Sequence, residues 1–207
     1  IAQACDKLDI NVWDVIDAAA TKPFGFMKFT PGPGLGGHCI PIAPFYLSWK
    51  AKEFECPTRF IELAGEINVS MPEWVIHKVM EALNDAGKPV KNSKVLLLGL
   101  AYKPNVDDDR ESPTYKLWEL LKAKGAKVDY FDPHCPEVPL TREHAEFAGI
   151  KSKKLTAATL KKYDCVLIST DHKAVDYNFV VEHSKMVVDT RNACAKVRKG
   201  KNKIVKA

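Results

Sequence analysis

Four short apolar runs, each closed by polar or turn residues, constrain this chain more than any other feature. They are Lys94–Leu100 (KVLLLGL), Lys127–Phe131 (KVDYF, stopped by Asp132-Pro133), Asp164–Ser169 (DCVLIS) and Met186–Asp189 (MVVD). Each has strand length, and helical patterns fall between them: Ser112–Lys124 ahead of Gly125, Thr156–Lys162 and Tyr177–Ser184. Alternating strands and helices predict a parallel sheet covered by helices on both faces. Upstream of residue 91 the pattern is helical instead. Ala2, Cys5 and Leu8, then Val12, Val15 and Ile16, recur at helical spacing with a break near Asp9–Asn11. Pro44–Phe54 and Thr58–Ala86 continue it, with Gly87 as a C-terminal stop and Pro72 predicting a kink or restart. The expected division is therefore a helical part, 1–91, and an α/β part, 92–207.

Charge excludes one class of function. Six of the 31 basic residues lie in Lys196–Ala207, which contains no acid; the other 195 residues carry 25 basic and 26 acidic groups. A near-neutral body with a basic end is not the footprint of a nucleic-acid binder, and the end is expected to be solvated. No apolar run approaches the length of a membrane span, and the N-terminus has no signal-peptide layout. The six cysteines are irregularly spaced without a CxxC, which favours reduced thiols in a cytoplasmic protein. A zinc site is not expected, because Cys56 and His77 lack ligand spacing.

Three segments carry candidate chemistry. Gly32, Gly34 and Gly37 match G-x-G-x-x-G, but Thr30-Pro31 precedes them where a dinucleotide fingerprint requires a strand. The glycines then read as a loop whose bare backbone permits close approach. His38 and Cys39 follow at the exit of this loop, just before the next helix, a setting that favours a thiolate nucleophile, although a lone cysteine is usually buried and inert. Gly99–Pro113 (GLAYKPNVDDDRESP) joins the first strand to its helix, where an open parallel sheet binds ligands. Lys103 and Arg110 suit phosphate and Tyr102 offers a flat face, whereas Asp107, Asp108 and Asp109 require cations or solvent. Asp132-Pro133-His134, Thr170-Asp171-His172 and Asp189-Thr190-Arg191-Asn192 follow the other strands on the same rim.

PGPGLGGHCIP, GLAYKPNVDDDRESP and VVDTRNA, in that order, resemble the UDP-glucose/GDP-mannose dehydrogenase family. The branch acting on UDP-N-acetylhexosamines, such as UDP-N-acetylglucosamine and UDP-N-acetylmannosamine, is the most similar. The resemblance implies an α/β fold: a central helical dimerisation domain followed by a Rossmann-like, parallel-sheet UDP-binding domain. It also implies an N-terminal NAD domain, and a catalytic Lys and Asn, that this chain lacks. The implied reaction oxidises C6 of a UDP-sugar to the uronate with two NAD through a cysteine thioester. Cys39 matches the nucleophile. Pro31, Gly32, Gly34, Gly36, Tyr102, Lys103 and Arg191 match substrate-binding positions, and Arg110 matches an NAD contact. A homodimer or higher homo-oligomer is implied, with no nucleic-acid or membrane partner. One position departs: where the family reads C-I-P-x-D-P, this chain has Ala43 in place of the Asp. A non-catalytic module that binds UDP-sugar and dimerises therefore stands as the rival reading. If Pro44 opens the helix, Ala43 is its N-cap and costs ~0.5–2 kcal/mol relative to Asp.

Overall fold

The computed structural model describes residues 1–207, and contacts group them into Ile1–Gly32 and Pro33–Ala207. The first unit contains α1 (Ala2–Lys7) and α2 (Val12–Ala20). Asn11 caps α2 by accepting from the Trp13 N–H, so the break read near Asp9–Asn11 is a helix start. Pro31 and Gly32, both half-buried, end this unit.

The second unit contains α3 (Ala43–Lys52), α4 (Arg59–Asp85), β1 (Lys94–Leu98), α5 (Pro113–Ala123), β2 (Lys127–Phe131), α6 (Ala157–Leu160), β3 (Cys165–Ile168), α7 (Tyr177–His183), β4 (Val187–Asp189) and β5 (Ile204–Lys206). The strands form one parallel sheet in the order β2-β1-β3-β4-β5. Successive residues of each strand point to opposite faces. Val95, Leu97 and Leu167 pack with Val79 and Leu83 of α4 and Leu117 and Trp118 of α5. Leu96, Leu98 and Ile168 pack on the other face with Leu160, Val180 and Val181. Both faces are thus apolar, which is why these strands read as continuous hydrophobic runs.

Of the kink or restart expected at Pro72 the restart is excluded, and one expectation, the solvated C-terminal end, is corrected. Helix α4 runs through Pro72 without a restart. Proline cannot donate to the carbonyl four residues back, here Asn68, and that oxygen faces the glycine loop, 3.7 Å from where a Cβ on Gly34 would lie. The C-terminal half of the same helix packs on the sheet, with Val75, Ile76, Val79, Ala82 and Leu83 buried in its core. The basic C-terminal end is not wholly solvated. Ile204 and Val205 are half-buried in β5, paired with β4, while Lys203 donates to the carbonyls of Val181 and Glu182 at the end of α7.

Helix α3 opens one residue earlier than expected, with Ile42 as N-cap, no side-chain cap, and Ala43 inside the first turn. The capping argument for position 43 therefore lapses. An Asp there acts on the helix dipole instead, worth ~0.3–1 kcal/mol. Ala43→Asp is expected to raise stability to urea by that amount at neutral pH, and a loss of stability would contradict this placement.

Candidate active site at the sheet crossover

The strand order places a switch point between β1 and β3, where the chain leaves in opposite directions and a crevice opens beyond the strand ends. Gly99 begins the loop after β1 at φ +98°. A Cβ there would lie 2.5 Å from the Thr170 Cβ and 2.8 Å from the Thr170 backbone N and O, so only glycine fits beside the loop after β3. Thr170 Oγ1 donates to the Ala101 carbonyl at 2.6 Å, and Thr114 Oγ1 donates to that of Gly99 at 3.0 Å.

The two longest motifs meet although some sixty residues separate them. The Gly37 N–H donates to the Arg110 carbonyl at 2.9 Å. A Cβ on Gly36 would lie 2.7 Å from both the Glu111 carbonyl oxygen and the Tyr102 Cβ; one on Gly37 would lie 2.8 Å from the Tyr102 ring. Gly34 lies against Pro113. The glycines therefore form a seat for the loop after β1, two residues before Cys39. They do not form a dinucleotide cradle: no strand precedes them, and protein fills the space a pyrophosphate would need.

Lys103 is exposed, with Nζ 5.1 Å from the centre of the Tyr102 ring. Tyr102 first, and the Asp108 charge after it, push its ammonium above the ordinary lysine value. Arg110 forks onto Asp108, Nε to Oδ1 at 2.9 Å and Nη2 to Oδ2 at 2.6 Å, which raises the guanidinium and lowers the carboxyl. Asp109 is buried and accepts from the Tyr115 hydroxyl, and Asp107 is exposed. The acidic run thus leaves Lys103 available to an anion. Arg191 follows β4, its side chain 23% exposed, with Nε donating to Asp171 Oδ1 at 3.3 Å. One strand, β3, separates β1 from β4, so the strand ends bearing Lys103 and Arg191 are roughly 10 Å apart. The two side chains share no contact partner here. Glu119, His144 and Glu146 place three ligand-type atoms within 4.8 Å of one another, with Lys116 at 3.5 Å from Glu119 as a competing cation.

Cys39 and Cys56 are exposed, and Cys5, Cys135, Cys165 and Cys194 are buried. Burial pushes the Cys135 and Cys165 thiols up to about 12, so these remain inert thiols. Cys39, the thiol read as nucleophile, is thus accessible to reagents and sits where the glycine loop enters α3.

One pair at the rim was legible only as polar loops. Asp132, after β2, and His172, after β3, have wholly buried side chains and lie 3.0 Å apart, Oδ2 to Nε2. Burial pushes the Asp132 carboxyl up, but hydrogen bonds from His172 and the N–H groups of Ala101 and His134 outweigh it and lower the pKa from 3.8 to about 2. A carboxyl lowered by folding contributes stability above its unfolded value and loses it as pH falls, here from about 4 to about 2. The contribution is roughly 2 kcal/mol. Asp132→Asn is expected to be less stable than the parent at pH 7, with the gap closing toward pH 2. A gap independent of pH in urea titrations would contradict the assignment.

The UDP-binding domain model of the UDP-glucose/GDP-mannose dehydrogenase family matches residues 96–196, and the central domain model of the same family matches residues 1–70. The chain belongs to this family. It is similar to a UDP-N-acetyl-D-mannosamine dehydrogenase of Methanococcus maripaludis, 35% identical over 92% of this chain and 42% of the relative. An NDP-N-acetyl-D-galactosaminuronic acid dehydrogenase of Ralstonia nicotianae is 30% identical over the same shares. Among solved structures, a UDP-D-ManNAc dehydrogenase from Pyrococcus horikoshii has a TM-score of 0.80 at 28% identity, covering 99% of this chain and 45% of that one. The chain thus spans less than half the length of these relatives. No helix is long and apolar enough to cross a membrane.

Proposed function

We propose that this chain supplies the nucleophile loop and the nucleotide-sugar domain of an NAD-dependent UDP-N-acetylhexosamine 6-dehydrogenase. The observation that carries the reading is the seating of the glycine loop, and so of Cys39, on the loop that bears Tyr102 and Lys103. The substrate class rests on the names of the relatives, which act on N-acetylated sugars.

In this reading the oxidations need a hydride acceptor, NAD, for which this chain provides only the Arg110 contact. The chain's own part is covalent. The Cys39 thiolate adds to the C6 aldehyde produced by the first oxidation. Loss of a second hydride from C6 turns the thiohemiacetal into a thioester. Water then cleaves the thioester, giving the carboxylate and returning the thiol. Covalent capture keeps the aldehyde in the site and makes the second oxidation intramolecular. Lys103 and Arg191 bind the diphosphate, Tyr102 lies beside it, and the Pro31–Gly36 segment, with Pro31, Gly32, Gly34 and Gly36, wraps the sugar. Cytoplasmic UDP-sugar and reduced thiols fit this chemistry.

Ala43 sustains the non-catalytic rival, because the resemblance assigns an assisting carboxylate to that position. Both readings include a homodimer formed through Thr58–Ala86, where Phe60, Leu63 and Ile67 are exposed. A monomer at all micromolar concentrations in sedimentation would exclude it. The placement of Cys39 at the sugar is tested by alkylating the thiols with iodoacetamide and mapping peptides by mass. UDP-N-acetylmannosamine is expected to slow alkylation of Cys39 at least about tenfold, a factor equivalent to ~1.4 kcal/mol, while Cys56 reacts as before. Equal protection of both thiols, or of neither, would sink the reading.

A further inference from the structure

The two residues that the reading above gives to the nucleotide on this loop, Tyr102 and Lys103, lie on backbone that is fastened at both ends from below. At one end, the N–H groups of Leu100 and Ala101 donate to Asp132 Oδ2 at 2.6 and 2.9 Å. At the other, the Asn105 N–H donates to His172 Nδ1 at 3.0 Å. An Nδ1 that accepts carries no proton, so the proton is on Nε2, which donates to Asp132 at 3.0 Å. One neutral tautomer therefore links the two ends. The other Asp132 oxygen accepts from the N–H groups of His134 and Cys135, at 2.7 and 3.0 Å. Asn105 Oδ1 accepts from the Lys173 N–H at 2.8 Å, and Asn105 itself holds φ +63°.

We propose that Asp132 and His172 are positioning residues for nucleotide binding: they hold Tyr102 and Lys103 in place for a nucleoside diphosphate. This rests on the reading of that loop as the nucleotide site. Burying a carboxylate is costly, and apolar packing would stabilise the sheet at least as well. What apolar packing cannot do is direct hydrogen bonds to two adjacent amides and, through an imidazole, to a third. A loop fixed before binding loses less entropy on binding, so a fixed Lys103 binds an anion more tightly than a mobile one. The same fastening extends to Cys39, because the Tyr102 ring fills the space above Gly37.

Two substitutions at residue 172 separate the halves of the device. Asn places an oxygen where Nδ1 was and keeps the acceptor for the Asn105 N–H. Gln places an amide nitrogen where Nε2 was and keeps the donor to Asp132, but frees the Asn105 N–H. Amide exchange and calorimetric titration with UDP are measured on the full 207-residue chain, with Lys103→Ala as the direct-contact variant. His172→Gln is expected to speed exchange at Asn105 and weaken UDP about tenfold, the loss of one half-buried hydrogen bond. Exchange in β1 should stay unchanged. His172→Asn should keep Asn105 protected and UDP affinity within about threefold of the parent. In the double variant with Lys103→Ala, the His172→Gln loss should largely vanish, because it acts through Lys103. Exchange that rises equally in β1 and at Asn105, a His172→Asn loss as large as that of His172→Gln, or full additivity with Lys103→Ala would each overturn the proposal. A parent chain that does not bind UDP overturns the nucleotide reading itself. In that event exchange confined to 100–105 would still establish the fastening, and only its ligand would be rejected.

Discussion

Cys39→Ser is expected to halt the second oxidation in an NAD-competent enzyme carrying this chain. A hydroxyl is far less nucleophilic than a thiolate at neutral pH, and nothing in the segment His38–Ile42 offers a base already paired with position 39. Formation of the uronate should fall at least about 1,000-fold, in the range found when a catalytic nucleophile is removed. The first oxidation does not need the thiol, so the yield of NADH per sugar should fall from two to one or below. Cys56→Ser is the control, since that thiol is exposed but lies beyond the far end of α3. Two NADH per sugar at an undiminished rate from Cys39→Ser would remove Cys39 from the chemistry.

The largest expected loss of stability comes from Gly99→Ala. The added Cβ meets backbone atoms of Thr170 at 2.8 Å, in a φ of +98° that L side chains rarely adopt. The backbone term costs ~1–2 kcal/mol and forced overpacking ~1–3 kcal/mol, together roughly 3–4 kcal/mol. In a domain stable by ~5–15 kcal/mol this is a large fraction, equivalent to a fall of roughly 6–15 °C in Tm. Calorimetric melting decides it. A change below about 1 kcal/mol would mean that the loops after β1 and β3 are not in contact as described.

The sheet was legible because β1 to β4 are apolar runs bounded by turn residues, and Ser112, Thr156 and Asp176 cap their helices as such residues should. Strand β5 was not, because Ile204 and Val205 stand alone among lysines and gain their pairing from β4, a tertiary contact. At Pro72 the sequence left a kink and a restart open, and the restart fails because α4 continues into Val75, Ile76 and Val79, which pack in the core of the sheet. Of the site, the motifs gave the loops but not their contact. The glycines predicted close approach, and only the fold identified Tyr102, Glu111 and Pro113 as what approaches. Asp132 and His172 were visible as polar rim residues. Their role was not, since burial and a shared proton between loops forty residues apart leave no local signature.

The central claim is that the rim beyond β1, β3 and β4 binds the diphosphate of a nucleotide sugar. Its most direct test is a calorimetric titration of the 207-residue chain with UDP, for the parent and for Lys103→Ala/Arg191→Ala. Each lost charge-assisted contact is worth ~1.5–3 kcal/mol, so the double variant should bind at least about 100-fold more weakly while melting within a few degrees of the parent. Unchanged affinity in a folded double variant would place the nucleotide elsewhere and contradict the account.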